Sequence, residues 1–202
     1  DYKEIFSSSR DIHSETARKV FGLSKDEEVP HALRKKAKAV NFAIIYGTTP
    51  YGLSEQIGCS PAEASSLIKS FYTHYPEIRT YLSSIIENAE KSGYVETMFG
   101  RRRYLPDLTS PNFAKREAAK RAALNAPVQG SAADLIKIAM IKVDDFLTKN
   151  NYKSKMVLQI HDELDFLLDK DEESFLPDKI KEIMETCVNM DVKLEASCSF
   201  GS

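Results

Sequence analysis

The sequence of 202 residues lacks long apolar runs and has few of the residues that form disulfides or zinc sites. A membrane-spanning helix needs about 20 consecutive apolar residues, and no segment approaches that length. The cysteines Cys59, Cys187 and Cys198 are odd in number, far apart and without CxxC spacing. These absences argue against a membrane protein, a disulfide framework and a zinc site, and they favour reduced thiols in a cytoplasm. The hydrophobic content of 42% is enough for a core in one domain or two small ones.

The segment VLQIHDELDFLL, residues 157–168, lacks the Asn-Gly or Asp-Gly pair that usually closes a hairpin. Runs of β-branched and large apolar residues predict two strands, at 155–160 and 164–168. Between them stand an imidazole and two carboxylates: His161, Asp162 and Glu163. Two adjacent negative charges at this position indicate either a hydrophilic turn or a site for a cation.

The net charge of −2 hides an asymmetry along the chain. Residues 1–161 contain 24 Lys/Arg and 18 Asp/Glu, whereas residues 162–202 contain 4 and 12. Basic residues form two clusters, which comprise Arg34, Lys35, Lys36 and Lys38, then Arg101, Arg102, Arg103, Lys115, Arg116, Lys120 and Arg121. Basic clusters and a carboxylate turn indicate a polyanion held near a metal, although solvated helix faces would give the same charges.

Helices are predicted for most of the first half of the chain. A helical period and prolines near the starts predict helices at 14–21, 30–46, 50–57, 60–73 and 76–91. The predictions for the second half are a hairpin at 93–107, helices at 112–126, 130–149 and 173–189, and a strand at 192–199. Pro127 and Gly130 are expected to separate the two middle helices. The expected fold class is α+β, with an antiparallel sheet and packed helices after a helix-rich part.

The predicted helix 30–46 carries two cations and two aromatic residues in one stripe. The members recur every four residues and are Arg34, Lys38, Phe42 and Tyr46. They extend over about 18 Å at 1.5 Å per residue, with the cations near the N-terminus, where the helix dipole also favours anions. A nucleoside triphosphate, with its phosphate tail and flat head, would match this order. The alternative is an amphipathic helix with core aromatics and solvated cations.

A second polar stripe occurs in REAAKRAALNAPVQGS, residues 116–131. Arg121 and Asn125 are one helical turn apart, and Gln129 follows beyond Pro127. Their side chains can donate to the minor-groove acceptors, which look nearly alike in every base pair. Such a set would test duplex shape without reading sequence, although polar residues spaced by four are also common on exposed helix faces.

The chain resembles the family A DNA polymerases in three segments that stand in the family's order: RKKAKAVNFAIIYG, RAALNAPVQGSAAD and QIHDELDF. Two further segments, DIHSETARKVFG and GYVETMFGRRRYLPD, are also similar to that family. The resemblance implies a right-hand polymerase fragment, with a fingers subdomain at 1–110 and an incomplete palm subdomain at 111–202. It implies nucleotidyl transfer from a dNTP to a primer 3′-hydroxyl. Primer–template DNA and dNTPs would be the partners of a monomeric, cytoplasmic, nucleoid-associated enzyme.

The resemblance also assigns roles to matching positions. Arg34, Lys38 and His13 would bind the triphosphate, and Lys38 would neutralise or protonate the leaving pyrophosphate. Phe42 would lie against the sugar, and Tyr46 would close over the base. The implied DNA contacts are Arg121, Asn125, Gln129 and, near the primer terminus, His161. Asp162 would be a ligand of two catalytic Mg²⁺ ions, with Glu163 beside it.

The sequence departs from the family pattern in two places. Ala43 stands where the family usually has glycine, which puts in doubt the freedom of this helix to bend. The family's other metal-binding aspartate belongs to a DYSxIE-like motif well upstream of DIH. The segment DYKEI, residues 1–5, lies too close to Asp11 to match that motif, so we reject Asp1 as a ligand. The second carboxylate is expected upstream of this chain.

The second departure favours a piece of a larger polymerase that is inactive alone. A non-catalytic nucleotide- or nucleic-acid-binding module derived from a polymerase is the alternative. An unrelated Mg²⁺-dependent hydrolase that uses Asp162 and Glu163 would leave the stripe on helix 30–46 unexplained.

Overall fold

The computed structural model describes residues 2–8 and 10–201, apart from the Lys3 side chain. The chain divides into two compact units, Asp1–Val128 and Gln129–Ser202. The boundary predicted at residue 110 lies before this division, inside the first unit. The reason is that Leu124 and Ala126 of the following helix still pack in the cores of that unit. The assignment of fingers and palm to parts of the chain stays a prediction.

The first unit is mainly helical, and its elements follow the predicted segments closely. Its helices are α1 (Tyr2–Ser7), α2 (Ile12–Phe21), α3 (His31–Tyr46), α4 (Pro50–Ile57), α5 (Pro61–His74) and α6 (Pro76–Ser92). The predicted hairpin consists of β1 (Tyr94–Glu96) and β2 (Arg102–Tyr104), which pair antiparallel. Side-chain caps fix several starts, since Asp11, Thr49 and Ser60 each accept a hydrogen bond from the first turn of their helix. Helix α1 was not predicted.

Helix α3 buries one face in the core of the first unit. Val40 and Ile44 pack with Leu53, Leu67 and Phe71 from α4 and α5. The methyl group of Ala43 belongs to the same core, with 2% of the residue exposed. This packing fixes α3 and leaves its opposite face toward solvent.

The prediction of two helices separated by Pro127 and Gly130 was wrong. A single helix, α7 (Phe113–Lys149), follows a short 3₁₀ helix at Pro106–Thr109 and contains Pro127 in its interior. One proline removes one backbone hydrogen bond and bends a helix without necessarily ending it. Before the proline, Ala119, Ala123 and Ala126 pack in a core with Val95, Leu105 and Leu108, which holds this part of α7 in place.

The second unit contains the predicted carboxylate hairpin. Strand β3 (Lys155–Ile160) pairs antiparallel with β4 (Glu163–Leu167). Helix α8 (Leu176–Glu185) contributes Leu176 and Ile180 to a core with Val143 and Leu147. The predicted helix 173–189 is therefore shorter at both ends, with Pro177 in its first turn.

The predicted strand at 192–199 was wrong, since this segment, which lies within the described residues, contains no strand. A strand needs a neighbour that takes up its backbone hydrogen bonds. Here the Ala196 N–H instead donates to the Glu185 carboxylate at 3.0 Å.

The observed elements nevertheless confirm the α+β class. Among the described residues, no helix combines the length and the apolar character that a membrane span requires.

Candidate nucleotide site and carboxylate hairpin

The solvent face of α3 carries the predicted stripe. The rings of Phe42 and Tyr46 are stacked, with centroids 5.9 Å apart and planes 8° from parallel. The Lys38 Nζ atom lies 5.8 Å from the Phe42 centroid. Phe42 is 37% exposed. The alternative that places the aromatic residues in the core was therefore wrong for Phe42. The stripe presents a cation and the Phe42 ring to solvent, and the half-buried Tyr46 ring is stacked beside it.

Arg34, at the N-terminal end of the stripe, is bound by Asp11. Its Nε and Nη2 atoms donate to the two Asp11 carboxylate oxygens, at 2.8 and 2.9 Å. The same carboxylate caps α2 by accepting from the Ser14 N–H at 2.9 Å. The hydrogen bond from Arg34 holds the pKa of Asp11 well below its usual range. Asp11 therefore fixes the direction of the Arg34 guanidinium. The two bonds to Asp11 use the Nε and Nη2 atoms and not the Nη1 atom.

His13, in the first turn of α2, lies beside the stripe. Its ring centroid is 6.0 Å from that of Phe42, and its Nδ1 atom is 2.9 Å from the Asn41 Nδ2 atom. Burial of the ring lowers the pKa of His13 most strongly. The Asp11 carboxylate opposes this shift, and the charges of Arg34 and Lys38 add to it. The structure thus brings all five predicted nucleotide-binding residues to one surface of the first unit.

Two residues of this surface, Asp11 and Asn41, were missed as functional candidates in the sequence. Asp11 stands 23 positions before Arg34, and Asn41 stands 28 positions after His13. The periodicity of one helix carries no information about partners on another helix. An N-cap aspartate that begins the DIH motif was the available signal for Asp11.

The predicted minor-groove residues lie on α7. Arg121 is exposed and Asn125 is half-buried, and both belong to the first unit. Gln129 is exposed and belongs to the second unit. Arg121 packs against Gly47, the residue that ends α3 after Tyr46. The structure therefore places one member of the second stripe beside the end of the first.

The carboxylate hairpin has a turn of two residues, His161 and Asp162, between the paired residues Ile160 and Glu163. His161 has φ +55°, a conformation that costs free energy for residues other than glycine. The Gln159 side chain donates to the His161 carbonyl and supports this turn. Both Asp162 and Glu163 are exposed.

The donor atoms of Asp162 and Glu163 are carboxylate oxygens, which suit a hard cation such as Mg²⁺. The part of the chain that the structure describes contains no group of three or more metal-ligating side chains. The two carboxylates thus fit one portion of a magnesium site. Asp1, which we rejected as a further ligand, lies outside the described residues.

The comparison with protein families agrees with this arrangement. The model of DNA polymerase family A matches residues 2–202. The chain therefore belongs to DNA polymerase family A, which confirms the resemblance stated above.

The similar proteins include two bacterial enzymes named DNA polymerase I. That of Streptococcus pneumoniae is 42% identical over 199 residues, which are 98% of this chain and 23% of the relative. That of Mycobacterium tuberculosis is 43% identical over 198 residues, which are 98% of this chain and 22% of the relative. The chain spans less than a quarter of the length of these curated relatives.

A solved structure has the same fold. It is described as the POL domain of Pol1 from M. smegmatis in complex with DNA primer–template and dNTP. It is 42% identical to this chain and superposes with a TM-score of 0.89. The superposition covers 96% of this chain and 34% of the chain in the solved structure. The predicted class, a helix-rich polymerase fragment with small antiparallel sheets, is confirmed.

Proposed function

We propose that this chain is the part of a template-directed DNA polymerase that binds the incoming dNTP and provides one portion of the catalytic carboxylates. The observation that carries the proposal is the solvent-facing surface of α2 and α3, where cationic donors precede two stacked rings. Membership of the family and a relative described with primer–template and dNTP support the same substrates.

The reaction is transfer of a nucleotidyl group. The primer 3′-oxygen attacks the α-phosphorus of the dNTP, the bond to the bridging oxygen breaks, and pyrophosphate leaves. In this proposal Arg34 and His13 donate to the non-reacting phosphates and hold the triphosphate in line for attack by the primer 3′-oxygen. Lys38 neutralises or protonates the pyrophosphate as negative charge develops on it. Its exposed position beside Phe42 suits that role.

The aromatic end of the stripe holds the rest of the nucleotide. Phe42 lies against the sugar, and Tyr46 closes over the base. Their rings are parallel and stacked, and stacking of a base on an aromatic ring tolerates all four bases because each has a π-face. Selection among bases is then left to pairing with the template.

Contacts with the duplex are proposed for α7 and for the hairpin turn. Arg121, Asn125 and Gln129 would donate to minor-groove acceptors, and His161 would lie near the primer terminus. The exposure of Arg121 and Gln129 supports this proposal.

Asp162, with Glu163 beside it, would hold divalent cations at the hairpin turn. The chemistry that two Mg²⁺ ions supply when bound is stabilisation of charge on the attacking and leaving oxygens. The chain's own contribution is a two-residue turn that presents both carboxylates to solvent. We expect a second carboxylate from outside this chain to complete the site, and the chain alone to be inactive.

Nucleotide binding is tested by calorimetric titration of the chain with dATP. Lys38→Ala should weaken binding by about tenfold or more, since one charge-assisted hydrogen bond contributes about 1.5–3 kcal/mol. Lys35→Ala is the matched control, because Lys35 is an exposed lysine on the same helix outside the stripe. Equal losses in both variants would show only a general effect of charge and would remove the stripe from the proposal.

Catalysis is tested in a chimera. The chain replaces the corresponding segment of full-length S. pneumoniae DNA polymerase I, and primer extension is measured with Mg²⁺ and all four dNTPs. Extension that Asp162→Ala abolishes supports the proposal. A chimera that folds and binds dATP without extending a primer would favour the non-catalytic binding module. Extension by the isolated chain would show that its own carboxylates complete the metal site.

A further inference from the structure

Asn41 is a buried amide next to the exposed part of the stripe. It is 6% exposed, whereas the adjacent Phe42 is 37% exposed. Its Oδ1 atom accepts from the Tyr2 hydroxyl at 3.2 Å and from the Thr16 hydroxyl at 3.1 Å. Thr16 is fully buried. With Oδ1 accepting from these two hydroxyls, the Nδ2 atom at the other end of the amide faces His13.

The orientation of this amide determines which His13 nitrogen carries the proton. An amide nitrogen only donates hydrogen bonds, so the His13 Nδ1 atom, 2.9 Å away, must accept one. A ring nitrogen that accepts has no proton, and the proton of the neutral imidazole then lies on Nε2. The charged groups that face this ring are Asp11, Arg34 and Lys38.

We propose that Asn41 is a positioning residue that keeps His13 neutral and protonated at Nε2, so that His13 offers a directed N–H donor to a phosphate oxygen. Arg34 and Lys38 already bring two positive charges to this surface. A third charge on His13 would be repelled by both, whereas a neutral donor adds direction without that cost. The identification of the acceptor as a phosphate rests on the proposed function, but the protonation state of His13 does not.

The protonation state is measured directly by long-range ¹H–¹⁵N correlation spectra of the histidine rings of the unmodified chain near neutral pH. His13 should show an unprotonated Nδ1 and a protonated Nε2. His74 is an internal reference, because its Nδ1 atom lies 2.9 Å from the Ser70 carbonyl oxygen, which only accepts. His74 should therefore show a protonated Nδ1. His13→Gln and His74→Gln assign the two signals.

A protonated Nδ1 on His13, in the neutral or the cationic ring, would overturn the proposal. No substitution is needed for this result, so it does not depend on whether a variant folds. The variant Asn41→Asp then tests the cause. Its carboxylate accepts where the amide donates, so Nδ1 should gain a proton and His13 should become cationic.

A purely structural role for Asn41 would lower stability without this change of ring protonation. In Asn41→Asp, the affinity for dATP should vary with pH from about pH 5 to pH 8, the range in which a histidine charge changes. The unmodified chain should show a flatter profile. If the His13 ring signals respond to dATP, the same profile in both would contradict the proposal that Asn41 sets the charge of His13.

Addition of dATP separates this inference from the proposed function. A shift of the His13 Nε2 signal, with the Nδ1 signal still unprotonated, supports both. An unprotonated Nδ1 without any response to dATP would keep the inference and remove His13 from triphosphate binding. A response to dATP by a ring protonated at Nδ1 would keep the binding role and overturn the inference.

Discussion

Substitution of Gly47 by alanine should lower the stability of the first unit more than the same change at a glycine of similar conformation. Gly47 ends α3 with φ +63°, and a Cβ atom there would lie 2.9 Å from Leu124 Cδ1 and 3.4 Å from Arg121 Cγ. The left-handed backbone costs about 1–2 kcal/mol for a residue with a Cβ. Relief of the clash requires Leu124, which is buried in the core, to leave its rotamer at about 0.5–1.5 kcal/mol.

The expected total for Gly47→Ala is therefore a loss of about 1.5–3.5 kcal/mol in the free energy of unfolding, from backbone strain and rotamer strain together. Gly22→Ala is the matched control, since Gly22 has φ +70° and no heavy atom within 4 Å of the added Cβ. That control should lose only the backbone contribution, about 1–2 kcal/mol. Urea unfolding followed by circular dichroism gives both values. Equal losses in the two variants would show that the contact of Gly47 with Leu124 has no energetic consequence.

Three further predictions concern the acid pair, the sugar contact and the hairpin turn. The pKa of Asp11 is lowered by Arg34, so the pair stabilises the fold above the unfolded pKa of about 3.9, and this stability is lost as the pH falls below that value. Asp11→Asn should reduce that acid dependence in urea unfolding at two pH values, and an unchanged dependence would show that the pair is not linked to folding. In the active chimera, Phe42→Tyr should raise dideoxynucleotide incorporation, because a tyrosine hydroxyl replaces the missing 3′-hydroxyl; incorporation at the level of the parent would refute the sugar contact. His161→Gly should raise the free energy of unfolding by up to about 1 kcal/mol by relieving the positive φ, and a decrease would show that the ring itself stabilises the turn.

The helices of the first unit were predictable because their limits are marked locally. Helix α3 was expected at 30–46 and occupies His31–Tyr46, with a proline before it and a glycine after it. The spacing of the stripe within that helix was equally readable. Local signals failed where the outcome depends on partners, as at 192–199, where the Ala196 N–H is bound by the Glu185 side chain. They also failed at Pro127, which lies inside a helix whose preceding turns pack in a core.

The candidate site was predictable in its residue types but not in the network that orients them. Arg34 and His13 could be named from motifs, whereas the pairing of each with its orienting partner could not. The bidentate bond from Arg34 to Asp11 and the amide bond from Asn41 to His13 both join α2 to α3. Contacts between helices follow from packing, which a single periodicity does not encode.

The two faces of α3 allow one helix to stabilise the unit and to carry the proposed ligand site. Val40 and Ile44 anchor the helix in the core, so changes there should act through stability. Lys38 and Phe42 face solvent, and changes there should act through binding with little effect on the fold. Asn41 lies between the faces: its amide is buried, but its bond to His13 reaches the exposed surface. The buried Asn41 amide loses its hydration, and its three hydrogen-bond partners compensate for that loss. These bonds also fix the direction of the His13 donor at the surface.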